Sequence, residues 1–387
     1  MTQYHKKNYL INKDNMKLKI LPKLIIFSSL LFLLAGCTNA GAASSWPGFS
    51  LSEDIAFISN GSQVHAVDME NGSQLWKYPA EGDRNQLFYA APTVNNGLVV
   101  VGDYSGSLTA LDESYGTFKW EFSSATDKFV GSVLISDGIV YAPNSDHYLY
   151  AIDSDGDLIW KAKTNGPNWT APVAGEDFIY FASMDHNFYA VPKNVNLNSL
   201  VTADDGSKTL LENMNWKIDL GMAVTADPVI VDGVAFVATI EGNLYAIDIS
   251  SKKILWNFNN DGNLGAVWGT PVVTENGVFI ADTNGDVFAV DQNNGSPLWA
   301  TPLSVGGKII GRGAAFEDGV VFASDEGKIF SINSEKETKT ITTFETPLVT
   351  GFSVVGDQII FAPNNESSLL SAHDKNGFEV WSFLPSK

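Results

Sequence analysis

A single cysteine, Cys37, stands in 387 residues, so no intramolecular disulfide can brace the fold and an apolar core must hold it together. Basic residues are also scarce: 24 Lys and Arg face 44 Asp and Glu, for a formal charge of −20. Only two of those cations are arginines, Arg84 and Arg312. This balance argues against nucleic acid and against anionic lipid surfaces as partners. Long apolar runs are missing too, because the stretch from Leu24 to Leu34 falls short of the ~20 residues that a membrane-spanning helix needs. Gly-x-Ser-x-Gly, a phosphate loop and His-Glu-x-x-His are all absent, and no catalytic residue is assigned. The histidines are few, and only His147 and His186 occupy equivalent turns. Asp146 and Asp185 beside them could orient a metal ligand, but no third ligand follows by spacing, so both read as turn residues. In Asp153-Ser154-Asp155-Gly156-Asp157 the glycine is fourth where a calcium loop wants it sixth, and Thr164 takes the twelfth place. An ordinary turn is the reading, with no metal and no cofactor assigned.

What the chain has instead is a repeat. Val64-His65-Ala66-Val67-Asp68, Leu108-Thr109-Ala110-Leu111-Asp112, Leu149-Tyr150-Ala151-Ile152-Asp153 and Leu244-Tyr245-Ala246-Ile247-Asp248 are four of eight variants spread along it. A turn follows each, then a strand bearing Trp76, Trp120, Trp160, Trp216, Trp256, Trp299 or Trp381, with Ile341 standing where one more would fall. Short alternating strands punctuated by Gly, Asn and Asp indicate antiparallel sheet, and a four-stranded unit recurring every ~40–50 residues indicates a propeller. The expected fold is all-β, an eight-bladed β-propeller of four-stranded antiparallel blades over residues 46–387. The Trp is expected to lie flat against the next blade, while a glycine such as Gly72, Gly116 or Gly295 takes a positive φ in the preceding turn. Residues 193–213 are extra in blade 4, where Pro192 replaces the usual Asp, and read as an excursion from the blade.

The start of the chain reads as an export signal. Lys17, Lys19 and Lys23 precede the apolar run, which ends in Leu34-Ala35-Gly36-Cys37, the order of basic region, short apolar core and small residues that marks a secretory leader. That last tetrad resembles the lipobox of bacterial lipoproteins, which implies that residues 1–37 are a signal segment and that Cys37 becomes the lipidated first residue. Residues 38–45 are small and polar and read as a flexible tether.

The Ala-x-Asp, Gly turn and Trp pattern, with the small-Pro pairs Ala91-Pro92, Ala171-Pro172 and Thr270-Pro271, resembles the repeat of pyrroloquinoline-quinone-type propellers. One branch of that family, the quinoprotein dehydrogenases, would carry a vicinal disulfide and a calcium site, and Cys37 alone cannot supply the disulfide. The other branch comprises non-enzymatic lipoproteins, among them the propeller subunit of the outer-membrane barrel-assembly machinery. Lipobox, size and regular blades resemble the second. This implies a protein anchored by Cys37 to the outer side of a bacterial membrane, acting as a monomeric interaction scaffold toward another envelope protein and touching the membrane through its lipid alone. A quinone-dependent or sugar-binding enzyme using the channel mouth is the alternative.

Tyr89, Phe129, Trp169 and Trp268 each stand three residues before Pro92, Ser132, Pro172 and Pro271, in the loops that lead back to the inner strands. Arg84 and Arg312 fall in equivalent loops. Aromatics with Arg are what binding surfaces favour, so these six residues form a candidate binding rim around one mouth of the channel. The competing reading makes the rings wedges between blades.

Overall fold

Opposite most of the repeat alanines stands a tryptophan. The pairs Ala66↔Trp76, Ala110↔Trp120, Ala151↔Trp160, Ala246↔Trp256 and Ala372↔Trp381 face each other across the third and fourth strands of their blades. The small residue leaves room for the indole beside it, and the register shifts just after it in each case, a bulge that adds twist to the outer strand. The Asp that follows closes its own turn. Asp112 Oδ1 accepts the amides of Ser114 and Tyr115 at 3.0 and 3.1 Å, and Asp153 Oδ1 accepts those of Asp155 and Asp157 at 3.0 and 2.9 Å. The carboxylate of Asp153 therefore serves the turn that the sequence indicated.

The computed structural model describes residues 48–83, 86–210, 216–363, 365 and 367–386. Cys37, the tether 38–45, Arg84 and the end of the insertion lie outside the described residues. Eight blades follow one another in chain order, over residues 49–78, 93–122, 134–163, 173–219, 229–258, 272–304, 314–343 and 352–383, each a four-stranded antiparallel sheet. The first strands of successive blades neighbour one another and surround the channel, while the fourth strands form the outer edge. The chain is an eight-bladed β-propeller.

Its core is divided among the seams. Each hydrophobic cluster joins two adjacent blades, as when Phe57, Ala66 and Trp76 of blade 1 meet Phe88, Val99 and Leu111 of blade 2. Blades 8 and 1 are joined in the same way, by Ile360, Leu370 and Trp381 against Ala56, Ile58 and Val67. Among the described residues no strand is exchanged at that joint, because the strands of blade 1 all come from residues 49–78 and those of blade 8 from residues 352–383.

The tryptophans work across these seams. The indole N–H groups of Trp76, Trp120, Trp256 and Trp299 donate to the backbone oxygens of Glu113, Ser154, Gln292 and Ser334, each in the turn of the following blade, at 2.8–3.2 Å. The turn glycine lies against the ring: a Cβ on Gly295, whose φ is +71, would stand 2.6 Å from Trp256 Cε3, and one on Gly116, φ +64, 2.5 Å from Trp76. Only glycine combines that backbone with that closeness. Trp216 and Trp299 are half-buried, unlike the other five. Lys252 and Lys336 from the following blades hold their ammonium groups 5.8 Å from these two rings.

The insertion goes where its sequence did not indicate. From the end of the blade 4 strand Asn187–Pro192 it passes through the turn Leu197–Ser199 and forms a hairpin of Val201–Thr202 and Lys208–Leu210. That hairpin joins the sheet of blade 3, pairing in parallel with its outer strand through Lys161↔Thr209 and Ala162↔Leu210. Leu200 and Leu210 pack with Trp160, and Lys161 Nζ meets Asp205 Oδ2 at 2.7 Å. The reason is local: Pro192 replaces the Asp, so blade 4 has no Gly turn for Trp160, and the hairpin covers that ring instead. Lys193 adds an ion pair to Asp137 of blade 3 at 3.0 Å.

Candidate functional site

The loops from fourth to first strands share one face with the turns between second and third strands, and they are built to a common register. Counting back from the first paired residue of the inner strand (Thr93, Leu134, Val173, Val272), the fifth residue is buried in each: Phe88, Phe129, Asn168 and Val267 are 0% exposed. The fourth residue, Tyr89, Val130, Trp169 and Trp268, is not fully buried, and of these Val130 and Trp268 line the channel mouth. Phe129 is thus one place out of step with the other rim aromatics. It packs in the seam of blades 2 and 3 against Tyr150, with no surface to offer a partner. Spacing to Ser132 misplaced it, since Val133 is the residue equivalent to Pro92 and Pro172.

The others divide. Trp169 is half-buried, and its Nε1–H donates to Ser145 Oγ at 3.0 Å. Tyr89, also half-buried, lies 4.3 Å from Tyr104, ring centre to ring centre. Burial first, then the hydrogen bond with Tyr89, pushes the Tyr104 phenol well up. Lys128 Nζ sits 5.5 Å from the Tyr104 ring. Trp268 is 38% exposed.

Arg312 is exposed at the mouth but two residues further along its loop than the aromatics, next to the inner strand that begins at Ala314. Among the described residues it makes no ion pair. The equivalent residue of blade 5 is Asp227, counted from Val229, and the sequence reading passed over it. Its signal was a charge immediately before Pro228, where other loops carry Ala, Ser or Thr. Asp227 Oδ1 accepts the Ala171 amide of blade 4 at 2.7 Å. Burial pushes its carboxyl above the usual range, against the opposing effects of that amide and of the Arg312 charge.

Trp268, Asp227 and Arg312 line a cavity of about 490 Å³ at the channel mouth to which all eight blades contribute. Most of its remaining wall is glycine, alanine, serine and threonine. Ser50 Oγ and Thr225 Oγ1, on residues of that wall, are buried without a hydrogen-bond partner.

On the same face, His147 and His186 hold positive φ of 72 and 76. The carboxylates near them are engaged elsewhere. Asp146 accepts from the Tyr150 hydroxyl and Asp185 from the Tyr189 hydroxyl, both at 2.6 Å, and each also takes a loop amide, from Thr126 and Asn165. These aspartates brace the mouth loops. No group of three or more His, Cys, Asp and Glu side chains among the described residues could hold a metal ion.

A family model described as outer membrane protein assembly factor BamB matches residues 38–209 and 212–383. Curated proteins of that name are similar over part of their length. One from Yersinia pestis is 25% identical over 216 residues, covering 50% of this chain and 51% of that protein; one from Nitrosomonas eutropha is 22% identical over 236, covering 59% and 53%. The chain thus spans about half the length of these relatives. Among solved structures, BamB from Moraxella catarrhalis superposes with a TM-score of 0.64 at 18% identity, covering 85% of this chain and 91% of that one. The computationally designed Ika8 protein gives 0.64 at 15%, covering 89% and 98%. At such identities the structures speak for the fold.

Proposed function

Since the chain belongs to the family of the outer membrane protein assembly factor BamB, we propose that it is a lipid-anchored propeller of the cell envelope and works as a non-enzymatic protein-interaction scaffold in envelope protein assembly. The observation that carries this reading is the mouth face, where Trp268 and Arg312 are exposed on loops held by internal hydrogen bonds. Rigid aromatic and Arg anchors of that kind supply most of the energy of protein interfaces. Tyr89 and Trp169, partly buried, stand on the loops that lead into blades 2 and 4.

The placement supports a division of labour that can be tested. Trp268→Ala removes an exposed ring, so it is expected to abolish capture of an envelope partner from detergent-solubilised membranes while shifting the melting temperature by no more than about 1 °C. Trp169→Ala breaks the bond to Ser145 and is expected to lower the melting temperature by several degrees. Undiminished capture by the folded Trp268→Ala protein would remove the mouth from consideration.

The anchor is the second element of the proposal. Acylation uses the Cys37 thiol, so Cys37→Ser is expected to leave the protein unprocessed or to release it from membranes entirely. Unchanged membrane fractionation of that variant would show that something other than lipid holds it. The protein acts as a monomer and reaches the membrane through this residue alone, with its excess of acidic groups keeping nucleic acid away.

A further inference from the structure

The channel mouth holds one acid and one base in corresponding places. Asp227 and Arg312 occupy the same loop position in blades 5 and 7, and Trp268 belongs to blade 6, between them. All three line the 490 Å³ cavity, a size suited to a small ligand. Neither charge is neutralised by a bonded counterion among the described residues. Arg312 makes no ion pair, and Asp227 is held by a backbone amide. A purely anionic ligand would meet the Asp227 carboxylate, and a purely cationic one the Arg312 guanidinium. A ligand bearing both charges would satisfy each.

We propose that this cavity is a binding site for a small zwitterion of the amino-acid or short-peptide class. The ligand carboxylate pairs with Arg312, whose planar fork matches it in bidentate fashion. Its ammonium is received by Asp227, and its apolar body rests on the ring of Trp268. The site shares Trp268 and Arg312 with the docking face of the proposed function, yet it also uses Asp227 inside the mouth and can be titrated with no partner present.

The test is calorimetric titration of the detergent-purified full chain with the dipeptide Ala-Phe, its N-acetyl form and its C-terminal amide, with a neutral disaccharide as a fourth probe. The free-ended dipeptide is expected to bind, and blocking either end to weaken it about tenfold or more. Asp227→Asn should weaken the free dipeptide similarly and make N-acetylation cost nothing further, while Arg312→Gln should do the same for amidation. Absence of heat from the free dipeptide up to ~10 mM, a range ending in only the weakest useful affinities, overturns the proposal. So does equal binding of the blocked forms, or binding of the disaccharide in their place. The comparison of free and blocked ligands on the unaltered protein stands even if a variant fails to fold.

Discussion

Trp256→Ala is expected to cost about 3–5 kcal/mol of unfolding free energy, the usual range for emptying a large buried aromatic site. The ring is 9% exposed, lies 5.9 Å from Phe236 in its own blade and covers Gly295 of the next, so its loss opens a cavity in the seam and leaves the Gln292 carbonyl without its donor. Trp256→Leu should cost less, since the seam of blades 7 and 8 is filled with an aliphatic, Ile341, at 7% exposure, on the strand where other blades carry the Trp. Gly295→Ala provides the reciprocal experiment. A methyl group there collides with the indole and sits on a left-handed backbone, adding about 1–3 kcal/mol of overpacking to the conformational cost. Part of that loss should disappear in the Trp256→Ala background, where the colliding ring is gone. Denaturant unfolding of the four proteins measures the cycle. Equal losses for Ala and Leu at 256, or strict additivity with Gly295→Ala, would mean that the ring and the glycine do not recognise each other.

Leu210→Ala is expected to cost about 2–5 kcal/mol, although the residue lies in what the sequence shows only as an insertion. Leu210 is 1% exposed and packs with Trp160 and Leu200, so its truncation should loosen the hairpin from blade 3. Trypsin cleavage at Lys193 or Lys208 should appear together with the loss of stability. A cost below about 1 kcal/mol, in the range of surface substitutions, would mean that the hairpin merely rests on the blade. The ion pair beside it gives this docking a pH dependence. The hydrogen bond from Lys161, then those from Ser207, hold the Asp205 carboxyl well below the usual carboxylate range. A depressed carboxyl contributes stability that is fully present above its unfolded value near pH 4 and is lost as pH falls toward the folded value. Asp205→Asn should therefore remove acid sensitivity from hairpin docking, while leaving the contribution of Leu210 intact.

Blade number and the role of the tryptophans could be read from the repeat because they rest on local chemistry that recurs around the ring. Ala opposite Trp, Asp closing a turn and Gly beneath a ring are each visible as a spacing. The destination of residues 193–213 had no such signal. Its strands hold two and three residues, too few to show a period, and its partner strand lies earlier in the chain. The mouth was half legible. Prolines marked the loops, but where Val133 stands in place of Pro the register slipped by one residue, and Phe129 was read as a rim residue although it belongs to the seam. Asp227 escaped notice because a lone carboxylate acquires meaning only when the ring brings blade 5 within reach of blade 7.

Because blades 8 and 1 meet by side-chain packing, with no strand exchanged among the described residues, assembly has a built-in order in time. Blade 1 can form early, yet the face carrying Ala56, Ile58 and Val67 stays uncovered until Trp381 arrives, roughly 300 residues later. At a synthesis rate of about 5–20 residues per second that interval is about 15–60 s. During it, the nascent protein carries a sticky flank that only its own last blade, or a chaperone, can shield.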